Sequence, residues 1–285
     1  MKSGRVKKLS IAVIGNNNAG KSTFIGVTVD ALRRSLWRDL RGIFGYTVDS
    51  DEQLNYEMEY GNYLDKLVML PADDFYRKIT FPLFFVGEKK GIVEMSLYDM
   101  PPWFLEYDSG IGMMEDVREL LGTIDAFILM IDPFSFEPIA KIYQDKNNMF
   151  RENDSGTILK NIVDVIGDKK RKVRRPIALV LSKTDELTNH CGLEDFTSPP
   201  CCTNGKFDML TAYLSENKVR KFFDYVSYDI DGLLKDFETV ELFGANSVRV
   251  CYDQDNKLRV FFDRNGTLNP IYWIFSQHKI IKKTR

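Results

Sequence analysis

Eight consecutive residues, Gly15-Asn16-Asn17-Asn18-Ala19-Gly20-Lys21-Ser22, have types and spacing that could hold a polyphosphate. Gly15 and Gly20 let the backbone curl so that its N–H groups face an anion. Asn16, Asn17, Asn18 and Ala19 fill the variable stretch, and Asn tolerates positive φ better than most residues. Lys21 is placed to reach the β- and γ-phosphates, and the Ser22 hydroxyl, followed by Thr23, to ligate Mg²⁺. A glycine-rich turn without a ligand is the plainer alternative.

Such a loop works only between a strand that delivers it and a helix whose positive end faces the anion. The apolar run at about 9–14 supplies the strand. From Lys21 onward Phe24, Val27, Ala31, Leu32, Leu36, Leu40 and Ile43 keep a helical spacing, which predicts a helix to about Phe44. Three further strand-like runs end in polar residues. Residues 92–98 end at Asp99, residues 176–181 at Ser182-Lys183-Thr184-Asp185, and residues 239–243 at Gly244-Ala245-Asn246-Ser247.

In this chain order the four motifs resemble those of the phosphate-binding-loop GTPases of the Ras-like, TRAFAC class, over roughly residues 8–280. The resemblance implies that Asp185 accepts from the N1–H and 2-amino groups of guanine and that the stem of Lys183 lies along the base. Ser182 stands where the family has Asn, which implies a weaker tie to the phosphate loop. It further implies that Asp99 holds Mg²⁺ through a water and that the amide of Ala245 meets the guanine O6. Asn269-Pro270-Ile271-Tyr272-Trp273 is similar to a helix start of some bacterial members, the double-GTPase group among them.

The two switch regions depart from that pattern. About 35 extra residues precede strand two, so a helical insertion is expected at about 45–79. Thr80, lying 19 residues ahead of Asp99, is the candidate for the switch threonine that ligates Mg²⁺ and meets the γ-phosphate, with Thr47 as runner-up. Thr80 merely starting a strand is the plain reading. Arg77, three residues before Thr80, resembles the arginine finger that α subunits of heterotrimeric G proteins carry in cis. A solvated arginine in a loop with Asp73, Asp74 and Lys78 is its alternative. After Asp99 the family reads x-x-Gly, often then Gln; here Met100-Pro101-Pro102-Trp103 follows. Pro102 has no N–H to offer a γ-phosphate, and Trp103 cannot orient a water. Glu106 is a substitute at best.

The chain has 285 residues, a net charge of −2 and a 44% hydrophobic fraction, which fit one elaborated globular domain spanning 1–285. That charge gives no case for nucleic acid as a partner. No apolar run is long enough to span a membrane; the basic start, 2–8, reads as the approach to the first strand rather than a secretory signal, and the basic end, 279–285, as a solvated helix end. The four cysteines read as free thiols in a loop setting rather than a disulfide framework or zinc site, and the expected location is cytoplasmic.

Alternating strands and helices predict an α/β fold: a mostly parallel sheet with one antiparallel strand and helices on both faces. Strand two is expected at 80–86, turning through Lys89 and Lys90 into strand three. Helices are expected at about 52–69, 113–122, 156–166, 207–214, 218–235 and after 269, with an added hairpin at about 248–266. The function these residues imply is binding of GTP/GDP with Mg²⁺ and slow hydrolysis as a switch, with a protein effector or regulator as partner. A non-hydrolysing scaffold is the alternative. An ATPase or phosphotransferase on the same core is the second, and no adenine site or acceptor lid is evident for it.

Overall fold

A computed structural model describes residues 6–40, 42–44, 76–85, 91–102, 105, 115–143, 155–167, 171–246, 249–252, 258–261 and 266–284. In chain order the first half gives β1 (Val6–Gly15), α1 (Lys21–Leu40), β2 (Gly42–Phe44), β3 (Arg77–Phe85), β4 (Gly91–Asp99), α2 (Glu115–Thr123), β5 (Ala126–Ile131), α3 (Glu137–Tyr143) and α4 (Ser155–Ile166). The second half gives β6 (Ile177–Leu181), α5 (Thr184–Cys191), β7 (Cys202–Thr203), β8 (Lys206–Asp208), α6 (Met209–Tyr225), α7 (Ile230–Leu234), β9 (Val240–Gly244), β10 (Arg249–Tyr252), β11 (Leu258–Phe261), α8 (Asn269–Gln277) and β12 (Lys282–Thr284).

Strand β1 shows why a sheet covered on both faces forms. Leu9, Ile11 and Val13 turn to one face and Ala12 and Ile14 to the other, and all five are buried. The first face packs against Phe24, Ile25, Ala31 and Leu32 of α1 and Ile271–Phe275 of α8. The second packs against Val117 and Leu121 of α2, Ile158 and Ile162 of α4, and Phe222 and Phe223 of α6. The result is an α/β architecture whose main sheet has seven strands in the order β2-β3-β4-β1-β5-β6-β9. Strands β4, β1, β5, β6 and β9 run parallel, and β3 runs against them. The expected hairpin is the antiparallel pair β10–β11, and β12, β8 and β7 form a small separate sheet.

Several boundaries differ from the sequence expectation. α1 stops at Leu40, and Gly42-Ile43-Phe44 pairs with β3 as an edge strand. Glycine is a poor helix former, and β-branched and aromatic residues favour extended chain. β3 begins at Arg77, so Thr80 lies inside the strand rather than ahead of it, and residues 77–79 are not insertion. The helices expected at 207–214 and 218–235 are instead α6 and α7. The Asp208 carboxylate caps α6 by accepting from the Leu210 and Thr211 amides, and Ser227 at φ +54° breaks the chain before α7. Cys191, Cys201 and Cys202 are free thiols, but Cys201 and Cys202 are buried rather than set in an open loop, and burial pushes Cys201 up to about 12. Thr47, the stretch 52–69, the tip with Lys89 and Lys90, Trp103 and Glu106 lie outside the described residues. Among the described residues no helix is long and apolar enough to cross a membrane.

Candidate functional site

Five parallel strands end at one edge of the sheet, and that edge collects nearly all of the candidate residues. β1 delivers the loop 15–20, and the 20-residue α1 leaves from it, directing its positive end toward the loop. Gly15, Asn18 and Gly20 all have positive φ, at +141°, +64° and +86°. Gly15 is required for a second reason: a Cβ there would stand 2.3 Å from the carbonyl oxygen of Met130 at the end of β5. Asn17 and Asn18 are exposed, whereas Asn16 and Ala19 are buried beneath them, and the Ala19 amide closes a turn onto the Asn16 carbonyl at 3.3 Å.

Lys21, although cationic, is buried. Its Nζ donates to the carbonyls of Gly15 and Asn16, 2.8 Å each, so the ammonium is folded back under the loop. Ser22 and Thr23 are half-buried in the first turn of α1. The Ser22 hydroxyl donates to Asp99 Oδ2 at 2.5 Å across 77 residues of sequence. Ser22 and Asp99 therefore form a pair of hard oxygen donors beside the loop, a set suited to Mg²⁺.

Arg77 sits directly opposite Asp99 in the β3–β4 ladder, at the same edge. Thr80 is not brought there. It pairs with Ser96, its hydroxyl 2.9 Å from that of Ser96, three rungs below Asp99 or about 10 Å along the strand. Three is an odd step, so Thr80 also faces the opposite side of the sheet from Arg77 and Asp99. Strand period accounts for the miss: a threonine ahead of the strand could reach the loop, and one inside it at this register does not.

Beyond Asp99, the Met100 amide donates to the Val13 carbonyl at 3.2 Å, and Met100 and Leu105 are fully buried. Pro102 is buried and its carbonyl accepts from the Leu105 amide at 2.7 Å. Asn161 of α4 donates to the Leu105 carbonyl at 2.5 Å, tying this segment to the helix layer.

The other end of the same edge is built by β6 and β9. Ser182 is buried and its hydroxyl donates to the Ile131 carbonyl at 3.0 Å, so its tie runs to β5 and not to the loop 15–20. Lys183 takes left-handed backbone, φ +52°, which aims its side chain back across the strand ends to Asp132, 2.6 Å away. The same ammonium lies 5.9 Å from the centre of the Phe134 ring. Asp185 falls in the first turn of α5, where a carboxylate is favoured by the helix dipole. Its amide donates to the Asn246 side-chain oxygen at 2.9 Å. The Ala245 amide donates to the Leu181 carbonyl at 2.9 Å as a last rung of the β6–β9 ladder. The expected amide for a base oxygen is thus already used by the sheet, because the strand extends one residue further than its apolar run.

Asp132, Thr184, Thr197 and Asn246 take part in the contacts at this end of the edge, although the sequence reading gave them no role. Asp132 had a signal: it is an acid at the carboxyl end of an apolar strand, the position that singled out Asp99. Asn246 adjoins Ala245 in the same loop, but its partners lie 49 to 62 residues away and leave no local mark. No model of a known protein family matches the chain, and no curated protein matches it either.

Proposed function

We propose that the chain is a guanine-nucleotide-binding protein of the phosphate-binding-loop GTPase type, which binds GTP or GDP with Mg²⁺ and hydrolyses GTP slowly. The observation that carries this reading is the Ser22–Asp99 contact beside a loop with three positive-φ residues and a buried lysine. The order of the main sheet, with one reversed strand beside β4 and all the motifs at the carboxyl ends, supports the same reading.

In this mechanism the loop and the start of α1 cradle the phosphates, and the Lys21 ammonium leaves the Gly15 and Asn16 carbonyls to take phosphate oxygens. Ser22 and Asp99 would hold Mg²⁺, which when bound neutralises charge on the β- and γ-phosphates. Arg77, at the edge beside Asp99, is the chain's own cation for charge that develops on the phosphoryl group. Asp185 accepts from the guanine edge, with the Lys183 stem, braced by Asp132, beneath the base. Specificity comes from an acceptor pair that adenine cannot match.

One observation favours a second reading, nucleotide binding without turnover. Pro102 lacks the amide that would contact a γ-phosphate, and its neighbour Leu105 is held on α4 through Asn161. The experiment that tests both is extraction and identification of the co-purifying nucleotide, followed by single-turnover release of γ-phosphate with and without Mg²⁺. Guanine nucleotide with slow Mg²⁺-dependent release supports the first reading, guanine nucleotide without release supports the second, and adenine nucleotide overturns both.

A further inference from the structure

Asn246 sits at 5% exposure behind the loop 182–185, in a ring of three polar side chains. Its Oδ1 accepts from the Thr184 hydroxyl and from the Asp185 amide at 2.9 Å, and its Nδ2 donates to the Thr197 hydroxyl at 3.0 Å. The Thr184 and Thr197 hydroxyls close the ring at 2.7 Å. The amide orientation is fixed, because the backbone N–H of Asp185 can only donate and therefore must face oxygen. Each hydroxyl then gives one proton and accepts one, so the buried Thr184 and Asn246 and the half-buried Thr197 satisfy one another.

The ring is itself supported from behind. The Ser198 amide donates to the Gly244 carbonyl at 2.9 Å, and the Gly244 amide donates to the Ser198 hydroxyl at 2.9 Å. Gly244 is so close to this segment that a Cβ would stand 1.9 Å from the Phe196 carbonyl oxygen. The Thr267 hydroxyl donates to the Asn246 carbonyl at 2.9 Å. Segment 196–198 thus fills the space behind β9 and presents Thr197 to Asn246.

From this arrangement we infer that Asn246 is a positioning residue for base recognition: with Thr197 it fixes the backbone of Asp185, and hence the direction of the carboxylate that reads guanine. This rests on the guanine reading above. Asn246 acts on the base end alone, so its loss alters discrimination at the guanine 2-amino group and not the gain in affinity from GDP to GTP.

The test measures binding of GDP, inosine diphosphate and ADP, each with Mg²⁺, to the full chain and to Asn246→Ala. Inosine diphosphate lacks only the 2-amino group, so the native protein should prefer GDP over it about 10- to 100-fold, as expected for one charged hydrogen bond. Asn246→Ala should reduce that preference about fivefold or more, while the ratio of affinities for a non-hydrolysable GTP analogue and GDP stays as in the native protein. Thr197→Val, which removes one hydroxyl from the ring, should shift the preference the same way by a smaller factor and keeps the test in hand if Asn246→Ala fails to fold. Folded variants with an unchanged GDP preference overturn the role of Asn246 while leaving guanine recognition intact. A native protein that binds ADP as well as GDP overturns the guanine reading itself.

Discussion

The two ends of one sheet edge are held in opposite ways. At the end with the loop 15–20, backbone contacts hold the loop itself, Lys21 gripped by carbonyls five and six residues back and Gly15 against β5 with no side chain between, and one side-chain bond, Ser22 to Asp99, is added. At the β6–β9 end the side chains do it, through Lys183 to Asp132 and through the ring of Thr184, Thr197 and Asn246. A backbone-built site depends on a few glycines in sequence and shows itself as a motif. A side-chain-built site depends on partners from distant segments, and its parts look ordinary one by one.

This contrast fixes where substitutions should strike hardest. Lys21→Ala should have the largest effect, a loss of roughly 1000-fold or more in affinity for GTP by calorimetry, since no neighbouring backbone group replaces the cation. Unchanged affinity would mean that the loop cradles no phosphate. Asp185→Asn should weaken GDP and GTP by about 100-fold and turn preference toward xanthine nucleotides, whose 2-oxo group suits an amide donor. The contrast sharpens if Asp185→Asn leaves binding of xanthosine triphosphate as tight as native binding of GTP.

A third prediction concerns stability at the β9 end. Glu241 in β9 is buried, and burial, then the nearby Glu216 carboxylate of α6, raises it from 4.5 to about 7, against the opposing pull of Lys283 in β12 and Arg220 in α6. Its folded-state value lies above its unfolded value, so the folded state holds the extra proton. The contribution of Glu241 to stability is therefore fullest below pH 4.5 and is lost as pH rises through about 7. Glu241→Gln should add about 2 kcal/mol at pH 8 and almost nothing near pH 4.5, measured by urea unfolding. An equal gain at both values would show that ionisation is not the cause.

Two smaller effects separate the ends further. Arg77→Ala should lower single-turnover GTP hydrolysis about tenfold or more with little change in GDP affinity, the mark of a contact made in the transition state. Ser182→Ala should cost about 1 kcal/mol of stability by urea unfolding with nucleotide affinity unchanged, because its hydroxyl is bound to the Ile131 carbonyl and not to the phosphate loop.

How much was legible in the sequence follows the same division. The loop 15–20, its strand and the start of its helix rest on glycine chemistry and short-range hydrophobic period, and the structure places these where those signals put them, whereas the helix ends at Leu40 rather than near Phe44. Asp99 and Asp185 were singled out by motifs that follow apolar runs, and both lie at the carboxyl ends of buried strands of one sheet. Thr80 was misplaced because β3 begins three residues earlier than its apolar run, and strand period then turned the side chain to the other face. The Ala245 amide, expected for a base oxygen, is taken up by the ladder, which extends past the apolar residues to the Leu181 carbonyl. Asp132 carried the same strand-end signal as Asp99 and was passed over, whereas the contacts of Asn246 lie 49 to 62 residues distant, and single-sequence patterns hold no record of such pairings.

Asn246 has one more consequence, for the order in which the chain acquires its parts. Its side-chain bonds close loops of 49, 61 and 62 residues, and its carbonyl waits on Thr267 a further 21 residues on. Loops of that length cost entropy before their contacts return anything. The Lys21 grip on Gly15 and Asn16 needs only a turn of local chain. A chain ending near residue 240 lacks Asn246 and Thr267, and with them the ring behind Asp185. On the function proposed above, discrimination among bases therefore rests on contacts that form only once residues 184, 197, 246 and 267 have come together.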